Sequence, residues 1–372
     1  MMVKRFAAPL VAAVVASLIT GAVQAQANIK RSEATESWRV DGSEAGEPFA
    51  DLRDYVVLKN GHLWALDFKD QNIRRYDPNG KFLSIVGGKG AGPGELQNAN
   101  GMAVAPSGDV WVNDPRNGRI SVYGADGKYL RQITRNAGGW GYRWDGWFNR
   151  SNGELVERPI GGTVPKWQRY DAKGTALGTM PYTECASAGG VRDYIRAETP
   201  KGGSMMGAYP FATGGGLAAN GTDGVWCAAP NSTRVALIRA GALDSLAQTK
   251  LEIPNVVVGS DERAAEIARI EQIISKYTTN NFDKSKIPNT KPGIAALHVD
   301  EDGRLWVQHA AKFGQRSTTL DLFDGKGVHV SRVVLPVRQS TAMPIRSRGN
   351  LVWLTVLDED DVPGIVQFRI RN

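Results

Sequence analysis

The chain has 372 residues, with 45 Lys and Arg against 38 Asp and Glu, a net charge of +7 and a 42% hydrophobic content. The apolar fraction is that of a globular protein, which excludes a disordered or mostly membrane-embedded chain. The excess of positive charge is scattered and forms no Lys/Arg block, so no nucleic-acid partner is expected.

The first element is a targeting segment. Lys4 and Arg5 precede an apolar stretch from Phe6 to Ile19. Small residues follow from Gly21 to Ala27, where Val23-Gln24-Ala25 and Ala25-Gln26-Ala27 offer cleavage sites. That layout is a secretory signal peptide over residues 1–27, and its apolar run is short of the roughly 20 residues that span a bilayer. The expected mature chain, 28–372, is exported to the periplasm or beyond, has no membrane span and forms one domain of net charge +5.

Two phrases then repeat. Ile73-Arg-Arg-Tyr76-Asp-Pro-Asn-Gly80 returns around Tyr123 and Tyr170, each tyrosine 47 residues after the last. A turn-Gly-apolar-Trp-apolar phrase centres on Trp64 and Trp111, then on Trp306 and Trp353, again 47 residues apart. Asp223-Gly224-Val225-Trp226 and Asn152-Gly153-Glu154-Leu155-Val156 are degenerate copies, the latter without tryptophan. A period near 40–50 residues built from strand and turn signals predicts a β-propeller, all-β, with six copies giving six blades. In the second copy the strands are expected at 101–105, 110–112, 119–123 and 129–133, with Asp126-Gly127 as a hairpin turn. The phased tryptophans are expected between blades, filling the wedge between twisted sheets. The last copy supplies only three strands, starting near Ala342 and ending at Gly364–Arg371. Ser37–Val40, an isolated strand signal, is expected to complete it and close the ring.

Departures from the repeat are the places to look for function. Gly87-Gly-Lys-Gly-Ala-Gly-Pro-Gly-Glu95 lacks the Gly-Lys-Ser/Thr of a phosphate loop and reads as a crossover needing positive φ. Trp140-Gly-Tyr142-Arg143-Trp144-Asp145-Gly-Trp147-Phe148 is dense in aromatics outside the repeat phase, and reads either as a ligand surface or as packing over a blade junction. Two inserts follow. Residues 184–216 contain Met205-Met206, and residues 256–292 contain a helix over Asp261–Tyr277, with Ala264, Ile267, Ile270 and Ile274 on one face. That helix is expected to lie over a channel mouth or to brace the rim. Cys185 and Cys227 form a disulfide or remain two separate thiols.

The run Gly90-Ala-Gly-Pro-Gly94-Glu-Leu, Gly101-Met-Ala-Val, Gly108-Asp-Val-Trp-Val-Asn-Asp114, Arg119-Ile-Ser-Val-Tyr123 and Asp126-Gly-Lys resembles an NHL repeat. The exported six-bladed propellers often called TolB-like are similar. The resemblance implies fold more than activity, since such rings include binding scaffolds, lyases and metal-dependent lactonases. In that register the loops Asp67–Asp70, Asp114–Asn117 and Gln308–Lys312 gather at one face. The residues expected to bind a ligand are Asp114, Arg116, Asn117, Trp140, Arg143, Trp144 and His309. The expected function is a monomeric module that binds a small molecule or a protein, with no metal or other cofactor. The alternative is a calcium-type lyase or lactone/ester hydrolase at the channel mouth, with Asp114 and Asn117 as metal ligands. His62, His298, His309 and His329 do not make up a three-histidine metal site, and no Gly-x-Ser-x-Gly elbow is present.

Overall fold

The computed structural model describes residues 29–135, 143–157, 166–181, 193–200, 202–211, 216–219, 224–229, 232–239, 245–339, 343–358 and 362–371. The signal segment, 1–27, lies outside them. A single strand, β1 (Arg31–Val40), precedes a series of antiparallel sheets. The first is β2 (Leu52–Val57), β3 (Leu63–Asp67), β4 (Asn72–Tyr76) and β5 (Phe82–Gly87). The second is β6 (Gly101–Val104), β7 (Val110–Asp114), β8 (Arg119–Tyr123) and β9 (Tyr129–Thr134). The third is β10 (Trp147–Phe148), β11 (Leu155–Glu157), β12 (Lys166–Tyr170) and β13 (Ala176–Pro181). A hairpin, β14 (Tyr194–Glu198) and β15 (Ser204–Ala208), stands outside the series. The fourth sheet is β16 (Gly216–Ala219), β17 (Gly224–Ala228), β18 (Ala236–Arg239) and β19 (Ser245–Gln248). Then come β20 (Val256–Val257), helix α1 (Ser260–Ile274), β21 (Thr279–Asn280) and β22 (Thr290–Lys291). The fifth sheet is β23 (Ile294–Val299), β24 (Leu305–His309), β25 (Thr318–Phe323) and β26 (His329–Leu335). The last three strands are β27 (Arg346–Arg348), β28 (Leu351–Leu357) and β29 (Pro363–Arg371).

The repeated Asp-x-x-Gly phrase makes the turn between the third and fourth strands. In the first sheet Asp77 Oδ1 accepts from the amides of Asn79 and Lys81 at 2.8 and 2.9 Å, the local side-chain cap that favours Asp at such turns. Gly80 has φ +82°, and a Cβ there would meet the Trp38 ring at 2.8 Å. The sequence therefore needs glycine twice over, for the left-handed backbone and for the close approach of β1.

The phased tryptophans explain how the sheets stack. Trp64, Trp111, Trp226, Trp306 and Trp353 are all between 0 and 2% exposed. Each packs on the following sheet. Trp64 lies among Met102, Val110 and Tyr123 of the second sheet, and Trp111 lies against Phe148 of the third with ring centroids 5.1 Å apart. Trp226 meets Leu297, Val307 and Phe323 of the fifth sheet, and Trp306 meets Val352, Leu354 and Phe368 of the last. Trp353 then packs on Tyr55, Leu63 and Tyr76 of the first sheet. The third sheet, with Val156 in the tryptophan register, is the exception.

β1 covers the outer edge of β29. The two run antiparallel from Glu33 opposite Arg371 to Val40 opposite Ile365, with a bulge at Ser37. Arg31 and Ser32 also pair in parallel with Arg332 and Val333 of β26. An edge that would otherwise expose unpaired amides is thereby covered.

The two inserts build one satellite. β21 pairs with β14, Ala197 opposite Asn280 and Glu198 opposite Thr279. Ile270 and Ile274 of α1 pack with Ile195, Ala197, Tyr209 and Ile287, and Ile267 is partly buried beside them. Ala264, expected on the same face, is exposed. Among the described residues no helix is long and apolar enough to cross a membrane.

Candidate functional site

Antiparallel connection sends the turns between first and second strands to one end of every sheet and the loops between second and third strands to the other. The long loop 310–317 of the fifth sheet is one of the latter. With Gln308 and His309 it lines a cleft of about 740 Å³, whose other walls are Glu262 of α1, Lys291 of β22, Arg338, Gln339 and Leu357. Thr318 fixes its floor, donating to the Val337 carbonyl at 2.8 Å and accepting from the Gln339 amide at 3.0 Å.

The cleft is cationic. Lys291, Lys312, Arg316 and Arg338 line it against one carboxylate, Glu262, which is ion-paired with Lys291. Lys312 and Arg338 have no acidic partner among the described residues. Phe313 stands in the same loop with 59% of its surface exposed. Unpaired cations beside an exposed ring suit an anion carrying a flat or apolar part.

His309 lines this cleft as the last residue of β24, but its ring is committed. Its Nε2 lies 2.6 Å from Asp321 Oδ2, and His329 Nε2 lies 3.0 Å from Oδ1. Arg332 donates to both oxygens through Nε and Nη2, each at 2.8 Å. Burial alone would raise the Asp321 pKa, yet the hydrogen bonds from His309, His329 and Arg332 outweigh it and hold the carboxyl well below the ordinary range.

Asp114, Arg116 and Asn117 lie on the corresponding loop of the second sheet. Asp114 is fully buried. Its Oδ1 accepts from the Gln97 and Asn98 amides at 3.2 and 3.0 Å, and its Oδ2 accepts from Asn117 Nδ2 at 2.7 Å. Asp67 does the same in the first sheet, accepting from the Ala50 and Asp51 amides. Both aspartates tie the incoming connection to the loop and have their oxygens occupied by protein donors. Arg116 is exposed. The glycine-rich segment is turned the opposite way from an anion cradle. Its carbonyls at Ala91, Gly92 and Glu95 accept from the Arg119 guanidinium, at 3.2, 2.7 and 2.8 Å.

Of the aromatic segment, Trp140 lies outside the described residues. Trp144 is buried and donates through Nε1 to Glu157 at 2.6 Å, where Arg135 also donates. It packs with Trp111 and Phe148 between the second and third sheets. Arg143 instead approaches Asp54 of β2, Nη1 to Oδ1 3.6 Å, and Arg346 of β27 approaches the same oxygen at 3.7 Å. Cys227 is disulfide-bonded, and Cys185 lies outside the described residues. Among the described residues no group of three or more His, Cys, Asp or Glu side chains could hold a metal ion.

Sequence reasoning missed Phe313, Arg316, Arg338, Asp54 and Arg346. A usable signal existed for Asp54, since Leu52-Arg-Asp-Tyr-Val-Val57 puts charge inside a first strand that reads Gly101-Met-Ala-Val104 in the next copy.

The architecture matches solved structures. The chain is similar to the RRP9 WD40 repeats, at 10% identity and a TM-score of 0.52, covering 92% of this chain and 99% of that one. It is also similar to a Bacteroides fragilis protein described as exported, at 12% identity and a TM-score of 0.50, covering 92% and 96%. Virginiamycin B lyase from Staphylococcus aureus follows at 11% identity and a TM-score of 0.47, covering 90% and 99%. No protein-family model and no curated protein sequence matches the chain. The chain has a β-propeller fold. Besides the repeated sheets it carries the satellite made of the two inserts and the cationic cleft beside it.

Proposed function

We propose that the protein is an exported, monomeric six-bladed β-propeller of the NHL-like or TolB-like kind, closed by β1 as the fourth strand of its last blade. It binds an anionic ligand, or an acidic segment of a protein partner, in the cleft between loop 310–317 and the satellite. The six-bladed ring is supported by the order of tryptophan packing, which runs from the first sheet to the second and third, from the fourth to the fifth and the last, and returns from Trp353 to the first sheet. The binding role rests on one observation, the concentration of Lys312, Arg316 and Arg338 around exposed Phe313 with the one local carboxylate already paired. The alternative of a calcium-dependent lyase or hydrolase draws less support, because Asp114 and Asn117 already bond to protein groups and His309 and His329 are held by Asp321.

The test is a thermal-shift titration with polyglutamate, polygalacturonate and inorganic polyphosphate, with polylysine as control. The reading expects at least one polyanion to raise the melting temperature of the wild type, an effect lost in Lys312→Glu/Arg338→Glu and weakened by salt. Equal shifts in both proteins, or none in the wild type, would refute it. Elemental analysis showing stoichiometric calcium would favour the enzymatic reading instead.

A further inference from the structure

A second cavity, of about 420 Å³, opens at the opposite end of the sheets. Its walls come from first strands and their turns, among them Val57, Met102, Trp147, Phe148, Val299 and Arg346. A volume of this size suits a small organic ligand.

The charged groups of this cavity are all accounted for but one. Arg348 pairs with Glu301, Nη2 to Oε2 2.5 Å. Lys59 donates to the Pro106 carbonyl at 3.1 Å, and Arg150 donates to the Asp300 carbonyl at 3.2 Å. Asp300 accepts from Arg304, Trp306 and Ser347. Arg346 differs. Its Nε is buried without a hydrogen-bond partner, and among the described residues its sole ion pair is the long 3.7 Å approach to Asp54. Trp147 Nε1, in the same wall, is also a buried donor with no acceptor.

Behind Arg346 the charges do not balance. Asp54 is fully buried and faces two guanidiniums, Arg143 and Arg346, which are 29% and 37% exposed. The Asp54 Oδ2 is taken by the Met102 amide at 2.8 Å, while Oδ1 has no hydrogen bond. Nearby His298 adds no charge at neutral pH, because burial, with Arg346 and Arg143 adding to it, pushes its pKa down to about 4. Two cations therefore face one anion at the edge of the cavity. The exposed part of the Arg346 guanidinium keeps donors for an anion that enters the cavity.

We propose that this cavity is a receptor for a small amphipathic carboxylate. The carboxylate accepts from the Arg346 guanidinium and Trp147 Nε1, and the apolar body lies along Val57, Met102 and Phe148. A carboxylate with an apolar body matches this cavity better than inorganic phosphate, because Val57, Met102 and Phe148 in its wall offer apolar surface that phosphate cannot cover. Arginine also presents the planar donor fork that carboxylates fit. This site is separate from the cleft and does not depend on its function.

The test is isothermal titration of the full mature chain with octanoate and phenylacetate. The neutral analogues octanol and 2-phenylethanol, and inorganic phosphate, serve as comparators. At least one carboxylate is expected to bind ten-fold or more tightly than its neutral analogue and than phosphate. Arg346→Gln should weaken that binding at least ten-fold and Trp147→Phe several-fold. Lys312→Glu/Arg338→Glu, in the separate cleft, should leave it unchanged. Should Arg346→Gln fail to fold, Trp147→Phe decides. The proposal is overturned if neither carboxylate binds the wild type, if phosphate binds as well as the carboxylates, or if the folded variants bind as the wild type does.

Discussion

Replacing Asp321 with asparagine keeps the shape of a fully buried side chain and removes its charge. Four close contacts are at stake, at 2.6, 3.0, 2.8 and 2.8 Å, to His309, His329 and the two donors of Arg332. Breaking a fully buried ion pair costs about 3–5 kcal/mol. Here the partners are 16–23% exposed, so water recovers part of the loss and about 2–3 kcal/mol at pH 7 is the expected destabilisation. The pH dependence follows from the direction of the shift. A carboxyl held below its unfolded value stabilises the fold above that value, near 3.9, and loses its effect as pH falls below it. At pH 3 the unfolded carboxyl is largely protonated, which removes about 1.3 kcal/mol of the wild-type advantage. Urea denaturation of both proteins at pH 7 and pH 3 measures the two differences. A gap below about 1 kcal/mol at pH 7, or one that widens in acid, would refute the reasoning.

Two further predictions concern the scaffold. Deleting residues 29–40 removes a ladder of seven residue pairs on β29. At about 1 kcal/mol net per hydrogen bond this approaches the entire stability of an ordinary domain, about 5–15 kcal/mol. Loss of a cooperative thermal transition is expected by calorimetry, and an unchanged melting temperature would contradict closure by β1. Cys185 and Cys227 are expected to be joined, since they are the two cysteines of the chain and Cys227 is bonded. Non-reducing peptide mapping should recover one linked peptide pair, and two alkylated thiols would disprove the pairing.

The repeat made much of the scaffold legible. Strands expected at 119–123 and 129–133 fall at Arg119–Tyr123 and Tyr129–Thr134. The helix expected at 261–277 runs over Ser260–Ile274. These succeeded because period-2 alternation, Asp-Gly turns and a 3.6-residue apolar stripe are local signals. Of β1 the sequence signals only Ser37–Val40, because Arg31-Ser-Glu-Ala-Thr-Glu36 is largely polar and becomes a strand through the edge it covers. The satellite was illegible for a related reason. Its halves are separated by the whole fourth sheet, and nothing local announces that Ile195 will meet Ile270. Of the candidate residues, Asp114 and Trp144 carry structural bonds, and His309 is locked by Asp321. Arg143 reaches a charged cluster whose other members, Asp54 and Arg346, sit on strands distant in sequence. A side chain's surroundings depend on which strands the fold brings together, and the chain-order pattern does not state that.

The cleft between loop 310–317 and the satellite is the centre of the functional account, and hydrogen–deuterium exchange tests it most directly. With the polyanion that stabilises the protein most, slower exchange is expected in residues 308–318 and 336–339. Protection confined to other segments, such as 54–58 and 346–348, or no protection anywhere, would contradict the account.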